Sequence, residues 1–256
     1  ACMPSCPPSA NTPSVYDHLP RFIAHRGASG HAPENTAAAI AKAHELGATW
    51  AEVDVTISAD GEAVIFHDHK LERCSNGRGL IIQQPLADLK TLDAGSWFSP
   101  FYKEEKILTL SELLSLADDL NLSLNIEIKP TIGREWETVQ AMQSAFRDTA
   151  FSQHILLSSF NERALCYAAE LLPQFDRGLN VEAIPADWQK RLKQCLATGL
   201  HFQLDFFDGG VIRQLREQGV PLACFTVNNI VDAQRLWEAG VNAVFTDYIE
   251  RLRITP

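Results

Sequence analysis

Glu45-Leu46-Gly47-Ala48-Thr49-Trp50-Ala51-Glu52-Val53-Asp54 decides the fold of this chain, because a helix stops on a glycine and a short apolar strand follows at once. Glycine just past a helix can take the left-handed conformation that ends it. The same phrase returns as Thr198-Gly199 before Leu200 to Asp205, as Gln218-Gly219 before Val220 to Thr226, and as Ala239-Gly240 before Val241 to Asp247. Further strands are expected at Leu122 to Ile128, Ile155 to Leu157 and Phe175 to Leu179. Helices are expected near Asn35 to Leu46, Leu110 to Leu120, Glu135 to Phe146, Glu162 to Leu172, Asp187 to Ala197, Gly210 to Gln218, Ile230 to Ala239 and Tyr248 to Leu252. Strands that alternate with helices pair in parallel, and this many units fit an α/β TIM (β/α)8 barrel better than an open sheet.

At 256 residues, 46% hydrophobic and 21% charged, the chain can bury a large core, and residues 21–256 are expected to form a single catalytic barrel domain. A formal charge of -10 argues against a nucleic-acid or anionic-membrane surface, so an anionic substrate has to be held by local cations. No apolar run approaches the roughly 20 residues of a membrane span. Cys74, Cys166, Cys195 and Cys224 are scattered through apparent core elements, unlike a small disulfide scaffold, which points to a reducing, cytoplasmic location. Residues 1–20, with five prolines among small polar residues and with Cys2 and Cys6, are expected to be a poorly anchored tail. Nothing in the sequence speaks to oligomeric state.

In a parallel barrel the polar residues that follow the strands share one rim, the rim where barrel active sites sit. Here they are His25 and Arg26, Glu52 and Asp54, Glu127 and Lys129, Ser158 and Ser159, Asp205, Thr226 and Asn228, and Thr246 and Asp247. One unit breaks the alternation: between Ile57 and Glu62 there is no room for a helix, and Asp60-Gly61 is a strong hairpin signal. With those two residues as the turn, Thr56 pairs with about Ile65 and His67 returns beside Asp54. Residues 69–108 then form an insertion over the barrel mouth. Its aromatics, Trp97, Phe98 and Phe101, either line the substrate site or build the insertion's own small core.

Side chains two apart on a strand share a face, so Glu52 and Asp54 project together, as do Glu127 and Lys129, while Ile126 and Ile128 face the helices. Three carboxylates converging in a barrel mouth repel one another unless a cation lies between them. A hard divalent ion with oxygen ligands, Mg²⁺ or Ca²⁺, answers that demand. Each acid alone is a salt-bridge partner, and Glu127 can pair with Lys129. His25 next to Arg26 sets an acid/base beside a fixed cation, the combination a phosphate ester calls for.

Taken together, His25-Arg26-Gly27 followed by Pro33-Glu34-Asn35-Thr36, Glu52 and Asp54, His67-Asp68, Glu127-Ile128-Lys129, Thr226-Val227-Asn228 and Thr246-Asp247 resemble the glycerophosphodiester phosphodiesterase family in its short, cytosolic bacterial form. The resemblance runs from about Arg21 to the C-terminus, with the motifs in order. It implies a barrel of the phosphatidylinositol phospholipase C-like type with an insertion after the His67-Asp68 strand. It further implies metal-dependent hydrolysis of small glycerophosphodiesters to sn-glycerol 3-phosphate and an alcohol. His25 and His67 match the catalytic histidines, Glu52, Asp54 and Glu127 the ligands of one divalent cation, and Arg26 and Lys129 the phosphate-binding cations. Phe225, expected to contact substrate, stands where relatives often have Trp, and Asp205-Phe206-Phe207-Asp208 matches no family pattern. The resemblance leaves open attack by the glycerol 2-hydroxyl or by water, and a lysophospholipase D-like activity on the same site.

Overall fold

The structure, a computed structural model, describes residues 14–253. Nine strands carry the fold: β1 (Phe22–Ala24), β2 (Trp50–Ile57), β3 (Ala63–Ile65), β4 (Ser123–Ile128), β5 (Ile155–Ser159), β6 (Asp176–Val181), β7 (Gly199–Gln203), β8 (Leu222–Phe225) and β9 (Ala243–Thr246). Parallel neighbours run β1-β9-β8-β7-β6-β5-β4-β2, and β1 pairs back onto β2 through Ala24 and Ala51, which closes an eight-stranded barrel. The expected TIM barrel is therefore observed. No helix among the described residues is long and apolar enough to cross a membrane.

The outer helices are α1 (Ala37–Glu45), the short α2 (Leu86–Leu89), α3 (Leu110–Asp119), α4 (Glu135–Asp148), α5 (Glu162–Leu171), α6 (Trp188–Cys195), α7 (Gly209–Glu217) and α8 (Ile230–Ala239). In α3, Thr109 and Glu112 form a reciprocal capping box, and Leu110, Leu113, Leu114 and Ala117 recur at helical spacing to bury one face. That face packs in one core with Ile126 and Ile128, the outward residues of β4. The inward positions, freed from contact with helices, are available for polar chemistry.

Three of the four repeated glycines behave as expected, with Gly47, Gly219 and Gly240 at φ of 80°, 72° and 100°. Gly199 does not. Leu196 takes the left-handed position after α6 instead, and Gly199 opens β7. A Cβ at Gly199 would lie 2.3 Å from the Tyr16 hydroxyl, and one at Gly178 would lie 2.7 Å from it and 2.5 Å from His201 Nε2. Both positions are thus small so that Tyr16 can enter the barrel floor.

Tyr16 belongs to a 3-10 turn, Val15–His18, that corrects the expected tail. Residues 14–20 are anchored: the Val15 amide and Ser14 hydroxyl donate to Asp176, and Tyr16 packs with Ile23, Trp50, Leu156 and Phe245 inside the barrel. An aromatic side chain that plugs an apolar barrel end is held by burial however proline-rich its surroundings are. Residues 1–13, with Cys2 and Cys6, lie outside the described residues.

β3 pairs antiparallel with β2, but Thr56 faces Val64 and Val55 faces Ile65, one residue away from the expected register. The turn is longer than two residues: Ser58 pairs with Glu62, the Gly61 amide bonds to the Ser58 carbonyl, and Gly61 sits at φ 83° as the bulge residue of a three-residue loop. The segment beyond β3 builds its own core from Phe66, Leu71, Cys74, Ile81, Leu89, Ala94 and Ile107. Trp97, Phe98 and Phe101 join neither that core nor the cavity. They stack edge-on with one another and with Tyr102, and Phe101 remains 86% exposed.

The barrel floor makes one stability prediction. His201 is buried, with Nε2 2.8 Å from the Tyr16 hydroxyl, and burial drives its pKa from the ordinary 6.5 down to about 3. Below pH 6.5 the unfolded chain takes up a proton that the folded chain refuses. This contribution to stability is complete above that pH and is lost as the pH falls toward 3, at about 1.4 kcal/mol per pH unit. Between pH 7 and pH 5, His201→Gln should therefore lose about 2 kcal/mol less stability in denaturant titrations than the parent protein. Equal losses would contradict the assignment.

Candidate active site

Parallel pairing of β2 with β4 sets Asp54 directly opposite Glu127, and Glu52 lies two residues back on the same face. One carboxylate oxygen from each of the three lies within 4.8 Å of the others. Asp54 is fixed by Asn35, whose amide Nδ2 donates to its Oδ2 at 2.9 Å and whose Oδ1 accepts from its backbone N–H. Glu52 accepts the Arg26 backbone N–H at 2.9 Å. Burial, followed by the charge of Asp54, pushes the Glu52 carboxyl well above its ordinary range and the Glu127 carboxyl up to about 7. Three acids crowded by backbone register, with their negative charge incompletely offset, fit a hard divalent cation.

Each histidine is held by an aspartate. His25 Nδ1 lies 2.7 Å from Asp247 Oδ1, and Asp247 also accepts from Ser29 and Asn228. Burial alone would raise the Asp247 carboxyl, but the bonds from His25, Asn228 and Ser29 carry it well below the usual range. An ionised carboxylate only accepts, so the His25 proton sits on Nδ1 and Nε2 is turned inward, 3.9 Å from Glu52. On the other side His67 Nδ1 lies 2.5 Å from Asp68 Oδ1. Arg73 and then His67 hold the Asp68 carboxyl far below its ordinary range, which gives His67 the same tautomer. Burial lowers the His67 pKa, with Arg26 and Lys129 adding to the effect, so the ring is neutral near pH 7.

The two cations of the resemblance are placed differently. Lys129 Nζ is 3.2 Å from His67 Nε2 and 3.5 Å from Glu127 Oε1. Arg26 Nη1 donates to Glu34 at 2.8 Å and its Nε lies 3.5 Å from Asp54. That Nε is buried and makes no hydrogen bond. All eight residues singled out in the sequence fall on one rim, and seven of them, His25, Arg26, Glu52, His67, Glu127, Lys129 and Phe225, line a cavity of about 390 Å³. Asp54 stands behind them. Across the mouth Phe225 meets Phe160 edge-on at 5.8 Å between ring centres.

Several partners were not picked out from sequence. Arg73, from the insertion, bridges Asp68 and Glu34 through four hydrogen bonds of 2.7–2.8 Å. It thereby ties the His67 strand to the loop after β1. No local pattern marks that arginine, because its partners lie 5 and 39 residues away. Asn180 was passed over because the strand expected to stop at Leu179 runs on to Val181.

Residues 25–251 match the Glycerophosphoryl diester phosphodiesterase family. The chain belongs to that family. A glycerophosphodiester phosphodiesterase of Caldanaerobacter subterraneus is 34% identical over 232 residues, covering 90% of this chain and 95% of its own. One from Bacillus subtilis is 31% identical, covering 88% of this chain and 83% of its own. Among solved structures, an Oleispira antarctica phosphodiesterase in complex with the product sn-glycerol-3-phosphate superposes with a TM-score of 0.91 at 43% identity, covering 94% of this chain and 98% of its own. The Oleispira phosphodiesterase thus shares this barrel.

The crowding of the acids has a measurable consequence. Glu127→Gln removes one repelling charge, so in chelator at pH 8 it should be more stable than the parent by about 2 kcal/mol, or roughly 4–8 °C in thermal midpoint. The same variant should gain less than the parent from added Mg²⁺ or Ca²⁺. A less stable Glu127→Gln protein in chelator would show that the acids are compensated without a cation.

Proposed function

We propose that the protein hydrolyses glycerophosphodiesters to sn-glycerol 3-phosphate and an alcohol. The observation that carries this reading is the pair of histidines, each oriented through Nδ1 by an ionised aspartate, beside a cavity lined by Glu52, Glu127 and Lys129. The product bound to the Oleispira relative supports the same reading.

Hydrolysis breaks the bond between phosphorus and the alcohol oxygen and forms one to an attacking oxygen. A proton must leave the attacking hydroxyl and another must reach the departing alkoxide. His25 and His67 perform these transfers: one, neutral and protonated only on Nδ1, accepts at Nε2, while the other, entering the step with a proton on both ring nitrogens, donates from Nε2. Asp247 and Asp68 keep each Nδ1 protonated, which leaves Nε2 as the atom that exchanges a proton with substrate, in His67 3.2 Å from Lys129 Nζ. Lys129 balances charge on the nonbridging phosphate oxygens, and the Arg26 guanidinium, anchored on Glu34, adds positive charge beside the same anion. Glu52, Asp54 and Glu127 hold one divalent cation, Mg²⁺ or Ca²⁺, which when bound supplies Lewis-acid stabilisation of phosphate charge. Oxygen ligands favour those ions over Zn²⁺ and leave both histidines free for protons. A cytoplasmic location accords with Cys74, Cys195 and Cys224, which form no disulfide among the described residues.

Two experiments test this reading. His25→Ala and His67→Ala should each lower kcat by about 10²–10⁴ while retaining the parent's circular dichroism spectrum. Near-normal turnover by either folded variant would remove that residue from the mechanism. Exhaustive chelation should abolish hydrolysis of sn-glycero-3-phosphocholine, and Mg²⁺ or Ca²⁺ should restore it. Full activity in chelator would overturn the metal reading.

A further inference from the structure

Five polar side chains form an unbroken series between two parts of the site. His67 Nδ1 bonds to Asp68, Asp68 to Arg73, Arg73 to Glu34, and Glu34 to Arg26. One end is a ring that moves a proton, and the other is a guanidinium that lines the cavity. Arg73 is the middle member and grips both carboxylates twice. Its Nε and Nη2 donate to the Asp68 oxygens at 2.7 and 2.8 Å, and its Nη1 and Nη2 donate to the Glu34 oxygens at 2.8 Å. A bidentate pair fixes direction as well as distance, which the point charge of a lysine does not.

Among the described residues, each carboxylate bonds only to Arg73 and to the neighbour it positions. Burial alone would raise the Glu34 carboxyl, but Arg73 and Arg26 carry it below its ordinary range and keep it ionised. Arg26 also stands at φ 54°, a left-handed conformation that costs a residue with a side chain, so its surroundings have to hold it. Arg73 itself is mounted rigidly. Leu71 and Cys74 to either side are buried in the insertion's core, the Ser75 hydroxyl donates to the Leu71 carbonyl at 2.7 Å, and the Leu71 amide donates to the Gly79 carbonyl at 3.0 Å. Its guanidinium end is open: the side chain is 45% exposed, and ion pairs that exposed add little to stability. What the four bonds control is where the two carboxylates point.

We infer that Arg73 is a positioning residue for catalysis, through which the insertion holds the proton-transferring His67 and the phosphate-side Arg26 in one frame, so that both meet the same phosphodiester. This rests on the phosphodiesterase reading. Arg73 touches no reacting atom and acts only through Asp68 and Glu34. Its effect is large because a misplacement of about 1 Å in a reacting group can cost about 10²-fold in rate.

Arg73→Ala should keep the parent's circular dichroism spectrum and lose roughly 10²-fold in kcat/KM on sn-glycero-3-phosphocholine, with kcat lowered through His67 and KM raised through Arg26. Should it fail to fold, Arg73→Lys, which keeps the charge without the fork, must lose about tenfold or more. In a background carrying Asp68→Asn and Glu34→Gln, the same Arg73→Ala change should cost less than about threefold, because the groups it acts through are gone. Parent-like turnover by Arg73→Ala, or an equally large loss in that background, overturns the inference and leaves the phosphodiesterase reading standing. A second readout needs no turnover: NMR of ¹⁵N-labelled histidine at pH 8 should show His67 protonated on Nδ1 in the parent and a mixture of tautomers in Arg73→Ala. An unchanged tautomer likewise overturns the inference. A parent protein that hydrolyses no glycerophosphodiester would overturn the phosphodiesterase reading, while the tautomer comparison would still decide whether Arg73 holds His67.

Discussion

Repulsion among Glu52, Asp54 and Glu127, whose carboxylate oxygens gather within 4.8 Å, is the constraint around which the upper half of the barrel is arranged. Burial first, and then the charge of Asp54, pushes the Glu127 carboxyl up to about 7. The chain holds them together by backbone register, because Asp54 and Glu127 are paired residues of neighbouring strands and cannot drift apart without breaking the barrel. Asn35 and the Arg26 amide then fix the direction of individual oxygens. A carboxylate trio made rigid in this way is prepared for a cation and unfavourable without one.

The histidines are organised by the opposite device, attraction. Asp247 and Asp68 are ionised acceptors, and each fixes the tautomer and direction of its partner ring. Asp68 is itself held by Arg73, which also grips Glu34, while Glu34 anchors Arg26. A single network of alternating charges therefore links the insertion, the β3 strand and the loop after β1. The insertion contributes to the site through this arginine and not through its aromatic rings, which turn to one another and to solvent.

The lower half of the barrel is stabilised by shape. Tyr16 reaches in from outside the barrel and meets His201, and the backbones of β6 and β7 allow it because Gly178 and Gly199 present no side chain there. This plug closes the bottom with aromatic and aliphatic surface, while Asn125, Ser158, Asn180 and His201 line the cavity.

What the sequence by itself determined was whatever is local in the chain. A helix stopped by Gly47 or Gly240 and followed by an apolar strand depends on neighbours in sequence, and alternation along a strand puts Glu52 with Asp54 and Glu127 with Lys129 on one face. The barrel and the acidic and histidine rim were legible for that reason, and ordered motifs pointed to the family. The tertiary structure decided everything that depends on residues distant in the chain. Gly199 reads locally as a helix stop, but its role is to admit Tyr16, 183 residues before it (199 − 16). Residues 14–20 read as a tail because prolines and small polar residues have no pattern, yet one aromatic fitted to a barrel end anchors them. Arg73 looks like any surface arginine until folding brings Glu34 and Asp68 to it, and the hairpin register turned on a single bulged glycine that shifts each pair by one. Periodicity and caps are properties of a few consecutive residues, whereas a hydrogen-bond partner or a cavity floor exists only after closure.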